Sequence, residues 1–279
     1  MAASKEAIQH PAGTKAPRMA DLADRHDLYE ESVQDVEQEC DFIAETFASM
    51  RGRPALSFRE DFCGTASAAC EWVRRGPSRS AIGVDIDPEV LEWGRANRVS
   101  RLNDEQRARL QLIQSDVLAV QTPPVDVVGA FNFSYYLFKS RDVMRSYFES
   151  VRAALKPDGV FFLDAFGGYE AFEEMKEKTK HDGFTYVWDQ AEYYPVTGEM
   201  VCHIHFRFPD GSKMKKAFTY EWRLWTLPEI RELLTEAGFS RVTVYWEGTD
   251  EDGDGDGEFT PEEKGEADAG WICYLTAEV

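Results

Sequence analysis

Four acidic residues and one glycine in the first half of the chain have the types and spacing to hold a nucleoside. Glu60 and Asp61 end the apolar run "ALSFRED", and a tight turn, "FCGT", follows around Gly64. Asp85 closes the next run, "SAIGVDID", 21 residues after Gly64. Asp116 closes a third, "RLQLIQSDVL". In an open parallel sheet the first strand-to-helix turn meets the ligand, and an acid about 20 residues further on accepts hydrogen bonds from ribose hydroxyls. A polar group at the end of the third strand then falls near the base.

The same turn lacks what a diphosphate requires. The GxGxxG pattern lets a pyrophosphate approach the backbone and sit on a helix N-terminus. Here Phe62 and Ala66 stand where glycines are wanted, and neither GKS nor GKT occurs anywhere. A nicotinamide-dependent oxidoreductase is therefore a rival reading with the glycines against it. A cofactor with ribose and adenine but no phosphate tolerates the bulkier turn, and S-adenosylmethionine answers that description.

These positions need a sheet to carry them. "ALSFRED" and "SAIGVDID" are followed by the helical segments "ASAACEWVRRG" and "PEVLEWGRANRVSRL". "RLQLIQSDVL", "VDVVGAFNFSY" and "VFFLDAFGG" read as three more strands, with the helix "RDVMRSYFESVRAALKPDG" before the last. Strands alternating with helices of this length make right-handed crossovers and a parallel sheet covered on both faces. Before the first strand, Leu28, Val33, Val36, Cys40, Ile43 and Phe47 recur at helical intervals, which predicts one or two amphipathic helices. After Gly168 the rhythm changes: "YEAFEEMKEKTK" reads as a helix, followed by three aromatic stretches separated by the turns "VTGE" and "DGS", a small antiparallel meander. "LPEIRELLTEAGF" restores a helix, and "SRVTVYW" and "GWICYLTAEV" add two strands to the main sheet. The expected organisation is a tail and helical lid over 1–54, a cofactor-binding core over 55–168, an insertion over 169–225 that roofs the site or contacts a second copy, and a closing segment over 226–279.

"REDFCGTA", "IGVDIDPEVLEWGRAN", "SDVL" and "LKPDGVFFLDAF", in this order, resemble the Rossmann-like S-adenosylmethionine-dependent methyltransferases, whose first motif usually reads like D-x-G-C-G-T-G. The match covers 55–165 and, more weakly, 226–279. The resemblance implies a seven-stranded α/β sheet with its last strand antiparallel. It also implies Glu60 in the place of the first-motif acid, Gly64 under the methionyl moiety, Asp85 on the ribose and Asp116 near the adenine amine. Cys63, Ile86 and Val117 join them as expected cofactor contacts. The departures, Phe62, Ala66 and Glu60 for the commoner Asp, bear on the methionine end of the site.

Methyl transfer from a sulfonium is an in-line displacement that depends on holding the acceptor close and excluding water. The end of the fourth strand, "FNFSYYLF", faces the methyl group in such a fold. Asn132 and Tyr135 are the catalytic candidates, with Ser134 and Tyr136 beside them; N-x-x-Y faintly resembles the NPPY motif of amino-methylating enzymes. Arg59 is placed to pair with a cofactor carboxylate or with Glu60. His26 and Tyr29 fall on the lid. His203 and His205 share one face of a strand, but two ligands without a third are weak grounds for a metal, and none is expected. The segment from Asp252 to Glu263 matches the spacing of an EF-hand through Asp252, Asp254, Asp256, Gly257, Phe259 and Glu263. The strands on either side argue instead for a solvated hairpin loop.

Composition bounds the partners. The 279 residues carry 31 basic and 51 acidic side chains, a formal charge of −20, which repels a nucleic-acid backbone. The longest basic cluster, "KMKK" at Lys213–Lys216, reads as the rim of a hairpin turn. Five scattered cysteines, never spaced CxxC, argue against a disulfide framework or a zinc site. No apolar run approaches the roughly 20 residues that span a bilayer. The expectation is a cytoplasmic enzyme methylating a small molecule, an amine ahead of a hydroxyl or carboxylate, with no nucleic-acid or membrane partner and a homodimer open. A non-catalytic S-adenosylmethionine-binding scaffold is the alternative.

Overall fold

The computed structural model describes residues 16–249 and 255–279. Three helices come first: α1 (Met19–Leu22), α2 (Arg25–Val33) and α3 (Val36–Arg51). Asp35 starts α3 by accepting the Gln38 N–H, and Gly52 ends it in the left-handed conformation at φ 65°. Ile43 and Phe47 on its inner face are fully buried, a contribution of about 1.5–3 kcal/mol each.

The alternating section then runs β1 (Ser57–Asp61), α4 (Ser67–Arg74), β2 (Ser80–Asp85), α5 (Pro88–Asn97), α6 (Asp104–Arg107), β3 (Leu110–Gln114), β4 (Val125–Ala130), α7 (Arg141–Ala153) and β5 (Leu155–Gly167). Side-chain caps mark several helix starts: Asp87 and Pro88 open α5, and Ser140 opens α7. β1 to β5 are parallel. The period of two along β5 serves both faces, with Phe161, Leu163 and Ala165 in one apolar layer and Val160 and Phe162 in the other.

A second sheet follows: β6 (Met175–His181), β7 (Phe184–Tyr194), β8 (Glu199–Arg207) and β9 (Lys213–Arg223), all antiparallel. Then α8 (Leu227–Glu236), opened by a Thr226–Glu229 capping box, leads to β10 (Arg241–Thr249), β11 (Gly255–Pro261) and β12 (Trp271–Glu278). The main sheet has the order β11-β10-β12-β5-β4-β1-β2-β3. β12 is antiparallel to both β5 and β10, so β10 runs with the parallel set. Strand order reverses beside β1, which lies between β2 and β4, and this switch point is where ligands of open α/β sheets bind.

Four expectations need correction. "YEAFEEMKEKTK" is a short 3-10 turn, Tyr169–Phe172, followed by β6. Its Glu and Lys content favours a helix, but pairing with β7 prevails, and Lys176, Lys178 and Lys180 suit an exposed edge strand. The acidic segment contributes an eighth strand, β11, because the Phe259 ring finds the Tyr274 ring 4.6 Å away. Asp256, Gly257 and Phe259 therefore lie on a strand paired with β10, without the flanking helices an EF-hand needs; Asp252 and Asp254 fall outside the described residues. Finally, "KMKK" begins β9 instead of forming a turn. No described helix is long and apolar enough to cross a membrane.

Candidate functional site

The turn after β1 is built on left-handed backbone. Phe62, Gly64 and Ala66 have φ of 58°, 50° and 61°, so two side chains occupy a conformation that glycine adopts without steric cost. The Phe62 ring lies beside Tyr147 and Phe138, with centroids 5.5 and 6.0 Å away. Ala66 is fully buried at the start of α4. Nothing crowds the glycine between them: a Cβ on Gly64 would meet only Val90 Cγ2, at 4.0 Å. On the far side α5 presses against the turn, since a Cβ on Gly94 would stand 2.4 Å from the Thr65 carbonyl oxygen.

Asp85 ties this turn to β2. Its Oδ2 accepts the Gly64 N–H at 2.8 Å and its Oδ1 accepts the Asp87 N–H at 2.9 Å. Partial burial raises its pKa, opposed by those two N–H groups, and no cation pairs with it among the described residues. Each oxygen keeps acceptor capacity for a further donor. The next residue, Ile86, is an apolar side chain 66% exposed. Asp116 is exposed, with Oδ1 accepting the Leu118 N–H at 2.9 Å.

Other candidates lie inside the protein. Cys63 and Val117 are buried, and the Cys63 N–H donates to the Val84 carbonyl at 2.9 Å. Glu60 is buried against α4, where its Oε2 accepts the Ala69 N–H at 2.9 Å. Burial pushes its pKa up to about 8, against that hydrogen bond and with help from the charge of Asp85. Arg59 pairs with neither a cofactor-facing group nor Glu60. It forms a fully buried ion pair with Asp61 at 2.7 Å, and Tyr147 donates to the same carboxylate at 3.0 Å.

Helix α2 packs over one side of this turn. The Glu30 carboxylate accepts from Thr65 Oγ1 at 2.5 Å, Ser67 Oγ at 2.7 Å and Arg98 Nε at 2.7 Å. Asp24 caps α2 and accepts from Trp93 Nε1 at 2.8 Å. His26 is buried between the Trp93 and Phe218 rings, and Tyr29 packs on Phe218 at 4.9 Å. α2 thus joins the first turn of the core to the inner face of the second sheet.

Between α2 and α3, the ends of β4 and β5, the start of β12 and the second sheet lies a cavity of about 590 Å³. Aromatic residues of both sheets wall it, among them Phe133, Phe166, Trp188, Tyr220, Trp222 and Trp271. Among the described residues, five carboxyl residues line it, Glu39, Asp164, Glu170, Glu177 and Glu247, and no Lys, Arg or His does. Asn132 also lines it, on a strained loop: Asn132 and Phe133 have φ of 56° and 57°. The Asp164 carboxylate holds both, accepting their N–H groups at 2.6 and 2.9 Å. Burial raises Asp164 to about 7 despite these bonds.

Ser134, Tyr135 and Tyr136, next along the chain, do not line the cavity. Tyr135 is fully buried with its hydroxyl donating to the Asp164 carbonyl at 2.5 Å, which removes it from the groups that can touch an acceptor. Ser134 Oγ donates to the Phe131 carbonyl, and Tyr136 to the Phe166 carbonyl. His205 accepts the Lys216 N–H on Nδ1 and so donates from Nε2 to Asp189, while His203 bonds Thr219. These are strand contacts, and no described His, Cys, Asp or Glu side chains form a group suited to a metal ion. Asp164 lies within "FFLDAF", where spacing alone assigns it no role. Glu39 carried a legible signal: it is three residues after Val36 and four before Ile43, a charge inside an apolar stripe.

A family model described as a methyltransferase domain matches residues 63–161. Among solved structures, an S-adenosylmethionine-dependent methyltransferase from Clostridium acetobutylicum superposes with a TM-score of 0.67 at 16% identity, over 91% of this chain and 97% of that one. CalS10, an amino pentose methyltransferase from Micromonospora echinaspora solved with S-adenosylmethionine, gives 0.64 at 15%, over 91% and 96%. The sugar N-methyltransferase KedS8 from Streptoalloteichus gives 0.60 at 16%, over 100% and 98%. No curated protein matches the sequence. Residues 63–161 carry a methyltransferase domain by that match, and the chain as a whole has the fold of the S-adenosylmethionine-dependent methyltransferases.

Proposed function

We propose that the enzyme methylates the nitrogen of a small amine, bound in the aromatic cavity, with the cofactor held across the turn after β1. The observation that carries the acceptor is the lining of that cavity: five carboxyl residues and no cationic side chain. Such a lining favours a cation over an anionic or neutral acceptor, and the aromatic faces add cation–π attraction. The chain shares its fold with CalS10, an amino pentose methyltransferase, and KedS8, a sugar N-methyltransferase, which agrees with this reading.

The described residues fit the cofactor. An open Gly64, an Asp85 carboxylate with free acceptor capacity and an exposed Ile86 next to it suit a methionyl chain, a ribose diol and the face of an adenine in turn. Bound there, S-adenosylmethionine supplies a methyl carbon made electrophilic by positively charged sulfur. The protein's own work is placement: Asp85 accepts from the ribose hydroxyls, Asp116 stands near the base, and Gly64 leaves room for the chain. The cavity walls exclude water from the acceptor, and Asn132 offers a side-chain amide oxygen to its N–H groups. Holding the two reactants in register is worth several kcal/mol of barrier in reactions of this kind.

Two measurements test the reading. Incubating the enzyme with a metabolite extract and deuterated-methyl cofactor, followed by mass spectrometry, should put the label on nitrogen; label on oxygen or carbon overturns the amine acceptor. Asp85→Asn should fold normally and bind S-adenosylhomocysteine roughly 10- to 100-fold more weakly in calorimetry, the cost of losing a charged acceptor. Unchanged affinity would move the cofactor elsewhere.

A further inference from the structure

The Glu39 carboxyl is 8% exposed, lines the cavity, and has no hydrogen-bond or ion-pair partner among the described residues. An ionised carboxylate buried without a partner is costly, and proteins avoid it unless something binds there. Two neighbours of the same kind mark the contrast. Asp164, across the cavity, is held by two backbone N–H groups, and Glu60 by one. Of the two buried carboxyls that line the cavity, Glu39 and Asp164, only Glu39 keeps its full acceptor capacity among the described residues. We infer that Glu39 receives the acceptor's ammonium group and takes its proton, which frees the nitrogen lone pair for methyl transfer. This rests on the amine reading above.

The step balances simply. The ammonium R–NH3⁺ gives one proton to the Glu39 carboxylate, leaving R–NH2 and a neutral carboxyl group. The nitrogen lone pair then forms the bond to the methyl carbon, and the carbon–sulfur electron pair remains on sulfur. A buried carboxyl is suited to this exchange because its proton affinity approaches that of an amine. The groups facing Glu39 push the same way: the carboxyls of Asp35, Glu60 and Asp164 repel its negative charge, and the phenols of Tyr29 and Tyr274 are themselves raised by burial. Its pKa lies well above the ordinary value, burial being the main cause. Burial therefore favours a proton on Glu39 in the empty site, and a bound ammonium displaces it.

The test needs no knowledge of the natural acceptor. With the enzyme saturated in S-adenosylhomocysteine, calorimetry of cyclohexylammonium in two buffers of different ionisation enthalpy counts the protons released; cyclohexanol is the neutral control. The wild type should prefer the ammonium and release about one proton per molecule bound. Glu39→Gln should lose that preference by roughly 10- to 100-fold, release no proton, and keep its affinity for cyclohexanol and S-adenosylhomocysteine. Glu39→Asp, which keeps the charge on a shorter stem, should retain proton release at reduced affinity, and it serves if the glutamine variant does not fold. Proton release that survives in Glu39→Gln overturns the role of Glu39 and leaves the amine reading standing. A wild type that shows no preference for the ammonium over the alcohol overturns the amine reading, and the inference with it.

Discussion

Left-handed backbone at Phe62 and Ala66 explains how a turn without the usual glycines keeps its shape. An L-residue there costs about 1–2 kcal/mol relative to glycine, and packing must supply the difference: the Phe62 ring through Tyr147, the Ala66 methyl through full burial. Ala66→Gly relieves the steric cost while adding about 0.5–1 kcal/mol of chain entropy to the unfolded state. Thermal unfolding should therefore find Ala66→Gly neutral or stabilising. Ala69→Gly, three residues on in the same helix at ordinary φ, should be destabilising by about 1 kcal/mol. Equal losses would show that the turn carries no such strain. The place of Asp85 beside Gly64 was legible in the sequence because it follows from spacing along one crossover unit. Tyr135 was misassigned because spacing does not tell which way a short turn directs a phenol, and Asp164 was overlooked because its partners, Asn132 and Phe133, lie on a different loop.

At the scale of elements, helix α5 and the first turn are fitted to each other through Gly94. A methyl group there would press on the Thr65 carbonyl at 2.4 Å, so helix or turn must give way. Gly94→Ala should destabilise the fold by about 1–3 kcal/mol and weaken S-adenosylhomocysteine binding, because Gly64 shares the turn with Thr65. Gly76→Ala, where a Cβ would meet only Arg79 Cγ at 4.0 Å, is the control and should alter neither. Denaturant unfolding and calorimetry of the two variants separate the cases, and normal binding by Gly94→Ala would detach the helix from the site. The parallel strands and their helices were readable from alternation alone. The segment that became β6 was not, because Lys and Glu at alternate positions carry no apolar period, and only its pairing with β7 decides the conformation. The N-terminal helices show the same limit: periodicity predicts α2 and α3, but the Glu30 contact with Thr65 and Ser67 joins residues 35 and 37 apart in sequence.

For the whole molecule, the buried carboxyls set how stability depends on pH. Burial raises Glu60 to about 8 and Asp164 to about 7, and it raises Glu39 well above its ordinary value. In each the folded state holds a proton that the unfolded chain has already released above about pH 4. Stability from these groups is therefore complete below that pH and is lost as pH climbs through the window up to about 8. The formal charge of −20 acts in the same direction, since ionising further carboxyls adds self-repulsion. Asp126 opposes them at the acid end. Although burial disfavours its charge, the Ser57 and Leu56 N–H groups, Lys156 and Arg53 hold its pKa well below the usual range. Its contribution persists above the unfolded value and disappears only as pH falls toward its lowered pKa. The midpoint of thermal unfolding should accordingly be several degrees higher at pH 5.5 than at pH 8. Glu60→Gln, whose amide oxygen can still accept the Ala69 N–H, should flatten that slope by removing the titrating group. A midpoint that rises between pH 5.5 and 8 would mean that the three carboxyls are ionised in the folded protein, and that the unpartnered Glu39 is not held in its neutral form.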